Sequence, residues 1–332
     1  MTKKAFSVVI TGLNVQSTID ECIQSLLQQD FPENEYEIIY IDGGSTDSTL
    51  EKISKYPICI LQERGGSPAS GRNTGIKKAQ GKIIAFTDAD SVADKNWLKE
   101  LLECYDTPEV AGVGGVILPY PDKNYFPRTI GLLLPTFFGS AGARNPAIYP
   151  TKRFVDHNPT NNSSLRKQVL EEVGYFNQEL KVAEDIELDL RIINKGYKLV
   201  FTPKAKVRHH GRQSLSKFIL QMYNYGIWRA WAGKRYPGLL KPKHLLPSLF
   251  LLLLVFGALF TTVTTLLMPI SLLLNLILIA YLSAGLITGL KVSLKSKTPS
   301  HVIVIPILGF IEHVSYGLGI LYGLLRKQNF VD

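Results

Sequence analysis

Residues Lys82–Asp90 have the sequence KIIAFTDAD, an apolar run that ends in two aspartates. An apolar run of this length without alternation predicts a strand that is buried on both faces of a sheet. Asp88 and Asp90 come directly after the apolar residues, and alternate residues of an extended chain point in the same direction. The sequence therefore predicts a buried strand whose carboxyl end presents two carboxylates to one site.

Comparable runs occur before and after this strand. Strands are predicted at Phe6–Thr11 (FSVVIT), Glu37–Ile41 (EIIYI), Ile58–Leu61 (ICIL) and Tyr197–Thr202 (YKLVFT). Helical patterns lie at about 19–27, 48–55, 71–79, 164–173 and 184–194. Strands that alternate with helices indicate βαβ units, so the predicted fold class is α/β, with a mainly parallel sheet flanked by helices. Ligands of such sheets bind beyond the carboxyl ends of the strands, where the candidate polar residues fall.

Composition narrows the classes of partner. The chain has 332 residues and a formal net charge of +9. A basic balance suits an anionic membrane surface, a phosphate-rich substrate or nucleic acid. Zinc-finger spacing, RNP-type motifs and basic heptad helices do not occur in the sequence, so we expect no nucleic-acid partner. The three cysteines form no CxxC pair, and we therefore expect a reducing compartment and no disulfide framework.

The C-terminal part of the chain is far more apolar than the rest. Residues 1–240 are mixed and patterned, and we expect them to form the soluble functional domain, whereas residues 241–332 are expected to form a membrane anchor. Three apolar runs there are long enough to cross a bilayer core of about 30 Å, at about 245–268, 270–290 and 302–325. Two to three transmembrane helices are therefore predicted.

For the third apolar run, the sequence does not decide between a membrane crossing and another arrangement. It contains Pro306 and the pair Glu312-His313 near its middle, so a re-entrant or interfacial segment is an alternative to a crossing. The lysine-rich loop before it, between Lys291 and Lys297, is predicted to be cytoplasmic by the positive-inside rule. Two crossings then place the N-terminal domain at the cytoplasmic face of a cell membrane, in a multi-pass arrangement.

Residues 119–160 show little periodicity. They are rich in proline, glycine, asparagine and aromatic residues, and we predict a long irregular excursion. The excursion includes an apolar patch, Ile130–Phe138, that is interrupted by Pro135. We expect this patch to touch the membrane.

Asp88 and Asp90 are candidate ligands of a divalent cation, because Mg²⁺ and Mn²⁺ prefer oxygen ligands and are often held by one or two carboxylates. The alternative is an ordinary turn that an aspartate caps. His209 and His210 come after the last predicted strand, and a histidine can ligate a metal or contact a phosphate. Neighbouring histidines often point in different directions, so we expect only one of them to act; a solvated pair is the alternative.

Asp42 follows the strand EIIYI and precedes two glycines, which allow close approach of the backbone to a ligand. An acceptor at this position can hold a base or a ribose, and a turn with a helix cap at Asp47 is an alternative that is compatible with it. Arg72 lies in a glycine-rich stretch that matches neither G-x-G-x-x-G nor the P-loop pattern. It is a candidate for contact with a nucleotide, and an exposed arginine on a helix is the alternative.

The pair Glu184-Asp185 opens a predicted helix. One carboxylate of such a pair can act as the base that deprotonates an acceptor hydroxyl during group transfer. The alternative is structural, because acidic residues in the first turn of a helix are stabilised by the helix dipole. The pair alone does not decide between the two.

Six motifs in a fixed order resemble the family 2 glycosyltransferases of the GT-A fold. They are SVVITGLN (7–14), IDGGSTD (41–47), GRNTGIKKAQG (71–81), FTDADS (86–91), NNSSLRKQVLEEVGYF (161–176) and AEDIELDLRIINKGYKL (183–199). Their order and spacing both agree with the family, and the resemblance covers roughly residues 5–225. The first motif ends in TGLN where many members of the family have PTYN.

The resemblance implies a Rossmann-like GT-A domain followed by C-terminal transmembrane helices, and a role for each matching residue. The residues implied around the nucleotide are Thr11, Asp42, Arg72 and Asp88. Asp90 is implied as a ligand of Mg²⁺ or Mn²⁺, Asn162 as a residue of the sugar or acceptor pocket, and Asp185 as the base of an inverting reaction. From the residues themselves we add His210 as a second candidate metal ligand, and Glu184 and His209 as candidates beside the sugar or acceptor.

The expected reaction is metal-dependent transfer of a single sugar from a uridine or guanosine diphosphate sugar to a lipid-linked or glycan acceptor. Processive synthases of the family carry Q-x-x-R-W, which the stretch that starts at Gln221 (QMYNYGIWRAW) does not match. Two alternatives remain: transfer directly to polyprenyl phosphate, as in dolichyl-phosphate mannose synthases, and a catalytically inactive membrane scaffold. The scaffold is opposed by the presence of four aspartates, Asp42, Asp88, Asp90 and Asp185.

Overall fold

The structure is a computed structural model that describes residues 4–64, 66–141, 150–180, 183–260 and 268–326. The chain divides into two compact units. Unit 1 comprises the described residues of Met1–Tyr120 and Pro146–His210, and unit 2 comprises those of Pro121–Asn145 and Gly211–Asp332. The predicted boundary at residue 240, between the functional domain and the membrane anchor, stays a prediction.

Nine strands of the described chain form one sheet in unit 1. They are β1 (Phe6–Gly12), β2 (Tyr36–Asp42), β3 (Cys59–Gln62), β4 (Ile83–Asp88), β5 (Ser91–Ala93), β6 (Val110–Pro119), β7 (Arg153–Val155), β8 (Asn162–Arg166) and β9 (Lys198–His209). The order across the sheet is β3-β2-β1-β4-β8-β6-β9-β5, and β7 pairs with β9.

The sheet has two halves of different construction, which we call the parallel half (β1–β4) and the mixed half (β5–β9). In the parallel half, β1 pairs in parallel with β2 and β4, and β2 with β3. In the mixed half, β8 runs antiparallel to β4 and β6, while β9 runs antiparallel to β5 and β7 but parallel to β6. The predicted α/β class is confirmed, but the sheet as a whole is mixed, because four of its eight pairings are antiparallel.

The α-helices of the described chain are α1 (Ile19–Leu27), α2 (Thr49–Ile53), α3 (Pro68–Lys78), α4 (Trp97–Leu102), α5 (Tyr125–Leu133), α6 (Phe137–Ser140), α7 (Lys167–Val173), α8 (Glu184–Asn194), α9 (Leu215–Arg235), α10 (Leu246–Phe260), α11 (Met268–Ser296) and α12 (His301–Leu325). Helices of unit 1 cover both faces of the sheet. Val8 and Ile10 of β1 belong to the apolar cluster that includes Ile23 of α1, whereas Val9 belongs to the cluster that includes Ile76 of α3. Successive residues of a strand point to opposite faces, so β1 is buried on both, as predicted.

Two predicted elements have different bounds in the structure. The helix predicted at 164–173 begins only at Lys167, because Asn162–Arg166 form β8. β8 lies between β4 and β6 and pairs with both, so sheet pairing overrides the local helical pattern. β9 continues past Thr202 to His209, since its second part pairs with β5 and with the end of β6.

β6 has no counterpart among the predicted strands. Its sequence, VAGVGGVILP, is rich in glycine, which is depleted in strands. Close neighbours require these glycines: a Cβ on Gly115 would collide with the carbonyl oxygen of Ala205 in β9, and one on Gly112 would lie 2.5 Å from Leu165 Cδ2 in β8. The strand between β8 and β9 therefore depends on residues that lower its own strand propensity.

Unit 2 contains α5 and α6 together with the C-terminal helices α9–α12. The predicted irregular excursion at 119–160 is wrong in part, because it includes α5 and α6; residues 142–149 lie outside the described part of the chain. Ile130 of α5 and Phe138 of α6 belong to one apolar cluster with Ile305 of α12. The excursion is thus built into the core of unit 2, and its contact with a membrane stays a prediction.

Within the described residues, two helices are long and apolar enough to cross a membrane, over Leu272–Ser296 in α11 and His301–Leu325 in α12. The first predicted span is only partly visible: α10 is a shorter apolar helix, and residues 261–267 lie outside the described chain. Many apolar side chains of α11 are exposed and not packed into a core. Those that are at least half exposed are Leu272, Leu273, Leu276, Ile279, Leu282, Leu286, Ile287, Leu290 and Leu294. A helix with so many exposed apolar side chains indicates contact with a membrane or a partner.

α12 packs along α9, and glycine brings the two helices close together. A Cβ on Gly226 of α9 would collide with the carbonyl oxygen of Tyr316 in α12. Near the end of α12, Lys234 of α9 donates to the carbonyl oxygen of Gly323 at 2.8 Å. α9 also carries Arg229, so the helix against which α12 lies is charged as well as apolar.

Candidate active site

Two carboxylates and one imidazole meet at the carboxyl end of β4. β4 ends at Asp88, and Asp90 directly precedes β5, whose first residue Ser91 pairs antiparallel with His209. His209 Nε2 lies 3.2 Å from Asp90 Oδ1 and 4.0 Å from Asp88 Oδ2. One ligand atom from each of these three residues lies within 4.8 Å of the other two, a spacing that fits a single metal ion. The pairing of β5 with β9 therefore completes a site that β4 begins.

His210 points away from these carboxylates. Its ring stacks on Tyr120, with centroids 3.7 Å apart, and its Nε2 lies 3.3 Å from Glu21 Oε2. Adjacent residues of an extended chain point to opposite sides, which produces the divergence expected for this pair. The metal-ligand position predicted for His210 therefore belongs, by geometry, to His209.

Arg72 connects Asp88, at the end of β4, to a second acidic group. It lies on α3 and is only 7% exposed, so the alternative of a surface arginine is wrong. Its NH1 donates to Glu184 Oε1 at 2.6 Å, and its NH2 lies 3.6 Å from Asp88 Oδ1. Burial opposes the charge of Arg72, but the carboxylates of Glu184, Asp88 and Asp185 outweigh burial and raise the pKa of the guanidinium.

Glu184 and Asp185 open α8, as predicted, but they have different surroundings. Glu184 is buried, and burial together with the charge of Asp185 raises the pKa of its carboxyl against the opposing effect of Arg72. The side chain of Asp185 is 20% exposed, and its Oδ1 accepts from the backbone N–H of Ile186 at 2.8 Å. Glu184 is thus committed to an internal ion pair, whereas Asp185 offers the more accessible carboxylate.

Asp42 lies at the carboxyl end of β2, beside an open pocket of about 350 Å³ whose lining includes Gln62 and Arg64. Its Oδ2 accepts from the backbone N–H groups of Gly44 and Ser45, both at 2.9 Å. Its Oδ1 is buried and has no hydrogen-bond partner among the described residues. Buried acceptors without a partner are rare, and this oxygen marks a position at which the N–H group of a ligand would be stabilised.

Thr11 lies on β1, between the strands that carry these aspartates. The register of the sheet pairs it with Ile41 of β2 and with Asp88 of β4. Thr11, Asp42 and Asp88 therefore share one edge of the parallel half, and Arg72 reaches Asp88 from α3. The structure brings together the four residues predicted around a nucleotide, while their binding role stays a prediction.

Asn162 is part of the interior rather than of a pocket. It is fully buried, its Oδ1 accepts from Trp97 Nε1 at 2.8 Å, and its Nδ2 donates to the carbonyl oxygens of Val116 and Ala205. These bonds tie β8 to α4, β6 and β9, so the predicted place of Asn162 in a sugar pocket does not fit. The preceding residue, Asn161, has a buried Oδ1 with no hydrogen-bond partner in the described chain.

Sequence reasoning missed His157 and Asp189, which lie beside Asp185. His157 Nδ1 is 2.8 Å from Asp189 Oδ2, and the same oxygen accepts from the backbone N–H of Asn158 at 2.9 Å. His157 Nε2 lies 3.8 Å from Asp185 Oδ2. Asp185 and Asp189 are four residues apart on α8 and share a face, a spacing that the sequence contains; nothing in the sequence marks His157.

Comparison with known proteins adds independent evidence. The family model of glycosyl transferase family 2 matches residues 7–174, about half of the chain. A dolichyl N-acetyl-alpha-D-glucosaminyl phosphate 3-beta-D-2,3-diacetamido-2,3-dideoxy-beta-D-glucuronosyltransferase of Methanococcus voltae is 27% identical over 97% of this chain and 98% of its own length. Glycosyltransferase AglE of Haloferax volcanii is 30% identical over 59% of this chain and 63% of its own length.

Solved structures resemble the fold as well. One of them is the mannosyltransferase PcManGT from Pyrobaculum calidifontis in complex with GDP-Man and Mn²⁺, with a TM-score of 0.62 and 17% identity over 92% of this chain and 87% of that one. At this identity the likeness shows the fold. The family match covers the chain from β1 to α7, which includes Asp88, Asp90 and Arg72 of α3. The chain belongs to glycosyl transferase family 2, and it is a glycosyltransferase.

Proposed function

We propose that this glycosyltransferase moves a single sugar, with inversion, from a nucleotide diphosphate sugar to a hydroxyl group of a lipid-linked glycan at the cytoplasmic face of a cell membrane. The observation that carries the proposal is the position of Arg72 between Asp88 and Glu184. This one side chain connects the carboxylates that would hold the donor with the helix end that bears the accessible carboxylate of Asp185. A donor site and a base thereby fall within one continuous group of side chains.

The parallel half supplies the donor side of the proposed site. The unpartnered Oδ1 of Asp42 would accept an N–H group of the nucleotide base, which both uracil and guanine possess. Gly44 has a φ of 98°, a conformation that glycine adopts readily, and its N–H holds the other oxygen of Asp42 in place. Thr11 would lie next to the nucleotide at the adjacent strand end.

Asp88, Asp90 and His209 fit a divalent cation. Carboxylate oxygens suit Mg²⁺ and Mn²⁺, and an imidazole nitrogen is an acceptable ligand for Mn²⁺. A metal ion held there would supply a positive charge for the departing diphosphate. Asp90 and His209 would be direct ligands, while Asp88 is shared between this site and Arg72. The solved relative PcManGT holds GDP-Man together with Mn²⁺.

Asp185 is the proposed base. Inverting transfer needs one carboxylate that removes the proton of the acceptor hydroxyl as the new bond forms on the opposite face of the sugar. Of the two acidic residues at the start of α8, Glu184 is buried against Arg72, and Asp185 has the more accessible carboxylate. Glu184 would therefore hold Arg72 in place rather than react.

A lipid-linked acceptor fits both the relatives and unit 2. The relative from Methanococcus voltae, which this chain matches over almost its full length, is named for a dolichyl phosphate-linked sugar. The exposed apolar surface of α11 would lie in the bilayer, where a polyprenyl chain also lies. Such an anchor would keep the enzyme near the head group of its acceptor.

For α12 the packing favours an interfacial position over a third crossing. Its partner α9 carries Arg229 and Lys234, and charged residues are costly within a bilayer. His301, at the start of α12, bonds through Nε2 to the hydroxyl of Thr129 in α5 and through Nδ1 to that of Ser296. A helix with polar neighbours at both ends suits the boundary between lipid and water.

Cysteine labelling tests this arrangement. In a background without the three native cysteines, Lys297→Cys and Arg326→Cys would mark the two ends of α12. An interfacial α12 predicts that a membrane-impermeant thiol reagent modifies both positions from the cytoplasmic side. Modification of the two positions from opposite sides would instead establish a third crossing.

The proposed function is tested first by donor binding. The detergent-purified protein is titrated calorimetrically with a panel of uridine and guanosine diphosphate sugars, each with and without Mn²⁺. We expect one donor to bind in a metal-dependent manner and Asp90→Ala to lose that binding. Asp106→Ala is the matched control, because Asp106 is an exposed aspartate of the same unit, paired with Lys152.

The outcomes separate the parts of the proposal. If the folded protein binds none of these donors, the proposed function is wrong, and an inactive scaffold becomes the better account. If a donor binds equally well without a metal, the metal assignment fails while the transferase remains. The configuration of the product at its anomeric carbon, read by NMR, tests inversion directly.

A further inference from the structure

His157 lies between two aspartates of α8. Its Nδ1 is 2.8 Å from Asp189 Oδ2, and its Nε2 is 3.8 Å from Asp185 Oδ2. The side chain of Asp189 is 5% exposed and that of Asp185 is 20% exposed. A buried carboxylate, an imidazole and a more accessible carboxylate therefore lie next to one another, and all three belong to unit 1.

The buried end of this series fixes the proton on the ring. Asp189 Oδ2 receives both the backbone N–H of Asn158 and the Nδ1 contact of His157, so this oxygen acts as an acceptor and Nδ1 carries the hydrogen. In the neutral ring, Nε2 is then the unprotonated nitrogen, and it is the one that faces Asp185. An aspartate that orients a histidine in this way is the arrangement of the hydrolytic triads.

We infer that His157, oriented by Asp189, takes over the proton that Asp185 removes from the acceptor, and that the acceptor group is a hydroxyl and not a phosphate. The inference rests on the proposed function, in which Asp185 is the base. His157 and Asp189 are positioning residues in this scheme, since they act on the acceptor only through Asp185.

The proposed step conserves atoms and charge. The acceptor oxygen forms a bond to the anomeric carbon of the sugar while the bond from that carbon to the diphosphate oxygen breaks. The hydroxyl proton passes to Asp185 Oδ2 and from there to His157 Nε2. The imidazolium that results is stabilised by the carboxylate of Asp189, and the nucleotide diphosphate departs with the electron pair of the broken bond.

The charges around Asp185 support a hydroxyl acceptor. A phosphate monoester is already ionised near neutral pH and has no proton that needs a base and a second carrier. Glu184, Asp185 and Asp189 place three carboxylates within about one and a half turns of α8, and of these three Arg72 pairs directly with Glu184. A phosphate dianion brought to Asp185 would meet repulsion there, whereas a neutral hydroxyl would not.

The test compares turnover with donor binding. The acceptor probes are vesicles that contain polyprenyl phosphate, with or without an attached N-acetylglucosamine. We expect transfer only to the sugar-bearing lipid, and we expect His157→Gln to lower kcat about 10–100-fold, the range typical of residues that orient a reacting group. The donor KM and the affinity for the nucleotide diphosphate should stay unchanged.

Two further variants distinguish a proton-carrying role of His157 from a purely structural one. His157→Ala should recover part of its activity when imidazole is added, because the free base can occupy the space of the lost ring. Asp189→Asn should lower kcat in the same direction, and the double variant should be no worse than the poorer single variant, since both act on one step. His244→Gln, which alters a histidine of unit 2, is the control.

The failures are distinguishable. Wild-type protein that transfers no sugar to either lipid overturns the proposed function itself. Wild-type protein that is active, with His157→Gln at full kcat, overturns the inference alone. Transfer to polyprenyl phosphate without an attached sugar overturns the inference together with the hydroxyl acceptor of the proposed function, while transferase activity itself remains. Loss of donor affinity and of thermal stability in His157→Ala, with no response to imidazole, shows a structural role and also overturns it.

Discussion

The two halves of the sheet build their sides of the active site in different ways. In the parallel half, Asp42 and Asp88 are the last residues of their own strands, so a few neighbouring residues determine their positions. In the mixed half, His209 reaches Asp90 only because β9 pairs with β5. His157 likewise reaches Asp185 across a long stretch of sequence. The positions of Asp42 and Asp88 thus depend on local geometry, while the contacts of His209 and His157 depend on distant pairing, and variants should separate the two.

The largest effect should come from the base, on the mixed side. Asp185→Asn keeps the shape of the side chain but removes the carboxylate that we propose takes the hydroxyl proton. We expect kcat to fall about 10²–10⁴-fold, the usual contribution of general base catalysis, with donor affinity unchanged. Activity assays and calorimetry on the same preparation measure the two quantities. Glu171→Gln, at a half-exposed side chain of α7, is the control, and a near-normal kcat in Asp185→Asn would remove the base assignment.

The converse effect is expected in the parallel half. Asp42→Asn replaces an ionised acceptor with a neutral amide, and a hydrogen bond to a charged group contributes about 1.5–3 kcal/mol. Donor affinity should therefore fall about 10–100-fold, while kcat at saturating donor stays close to that of the wild type. Asp30→Asn, at an exposed position, serves as the comparison. An Asp42→Asn variant that lowers kcat and leaves donor affinity intact would contradict the division between the halves.

A smaller effect should follow from the strand pairing that completes the metal site. His209→Gln removes one of three ligand groups and should weaken Mn²⁺ binding about tenfold or more, so that added Mn²⁺ restores activity. The neighbouring variant His210→Gln should leave the affinity for Mn²⁺ unchanged, because His210 faces Glu21 instead. Titration of donor binding with Mn²⁺ measures both. Equal weakening in the two variants would show that both histidines, or neither, belong to the site.

The smallest effects should come from two glycine variants that crowd the backbone. Gly115→Ala would press a methyl group onto the backbone of Ala205 in β9, the strand that carries His209, so both stability and Mn²⁺ affinity should fall. Gly75→Ala would press instead on the side chain of Val9 in the parallel half, 2.5 Å away, and should lower stability alone. Overpacking of this kind costs about 1–3 kcal/mol, which thermal unfolding resolves. Loss of Mn²⁺ affinity in Gly75→Ala would contradict the local character of the parallel half.

The same division explains what could be predicted from the sequence. A strand that is buried on both faces needs an uninterrupted apolar run. Where the chain emerges from the sheet after such a strand, polar residues or glycines often follow. KIIAFTDAD and EIIYIDGG both have this form, so their strands and the positions of Asp42 and Asp88 could be predicted. The place of Arg72 within hydrogen-bond distance of Glu184 could not, because it depends on the approach of α8 to α3.

In the mixed half, tertiary contacts outweigh local preference. β6 is rich in glycine because its neighbours leave no room for side chains, and this composition conceals the strand. Asn162 resembles a pocket residue in the sequence, yet its amide bonds to Trp97 and to two carbonyl oxygens hold it in the interior. His157 gains its importance only from Asp189, with which it shares no sequence motif. These features follow from register and burial, which a local pattern does not encode.

Arg72 carries a single positive charge and serves two carboxylates, and this has a consequence for the affinities of the two substrates. A cation that binds between Asp88 and Asp90 would neutralise Asp88 and leave the guanidinium to Glu184. The electrostatic field at the start of α8 would therefore differ between the enzyme with its donor and the enzyme without it. By thermodynamic linkage, an acceptor that senses this field must in turn alter the affinity for the donor by the same factor. The two substrates of this enzyme would then bind in an interdependent manner, because both would act on one shared guanidinium.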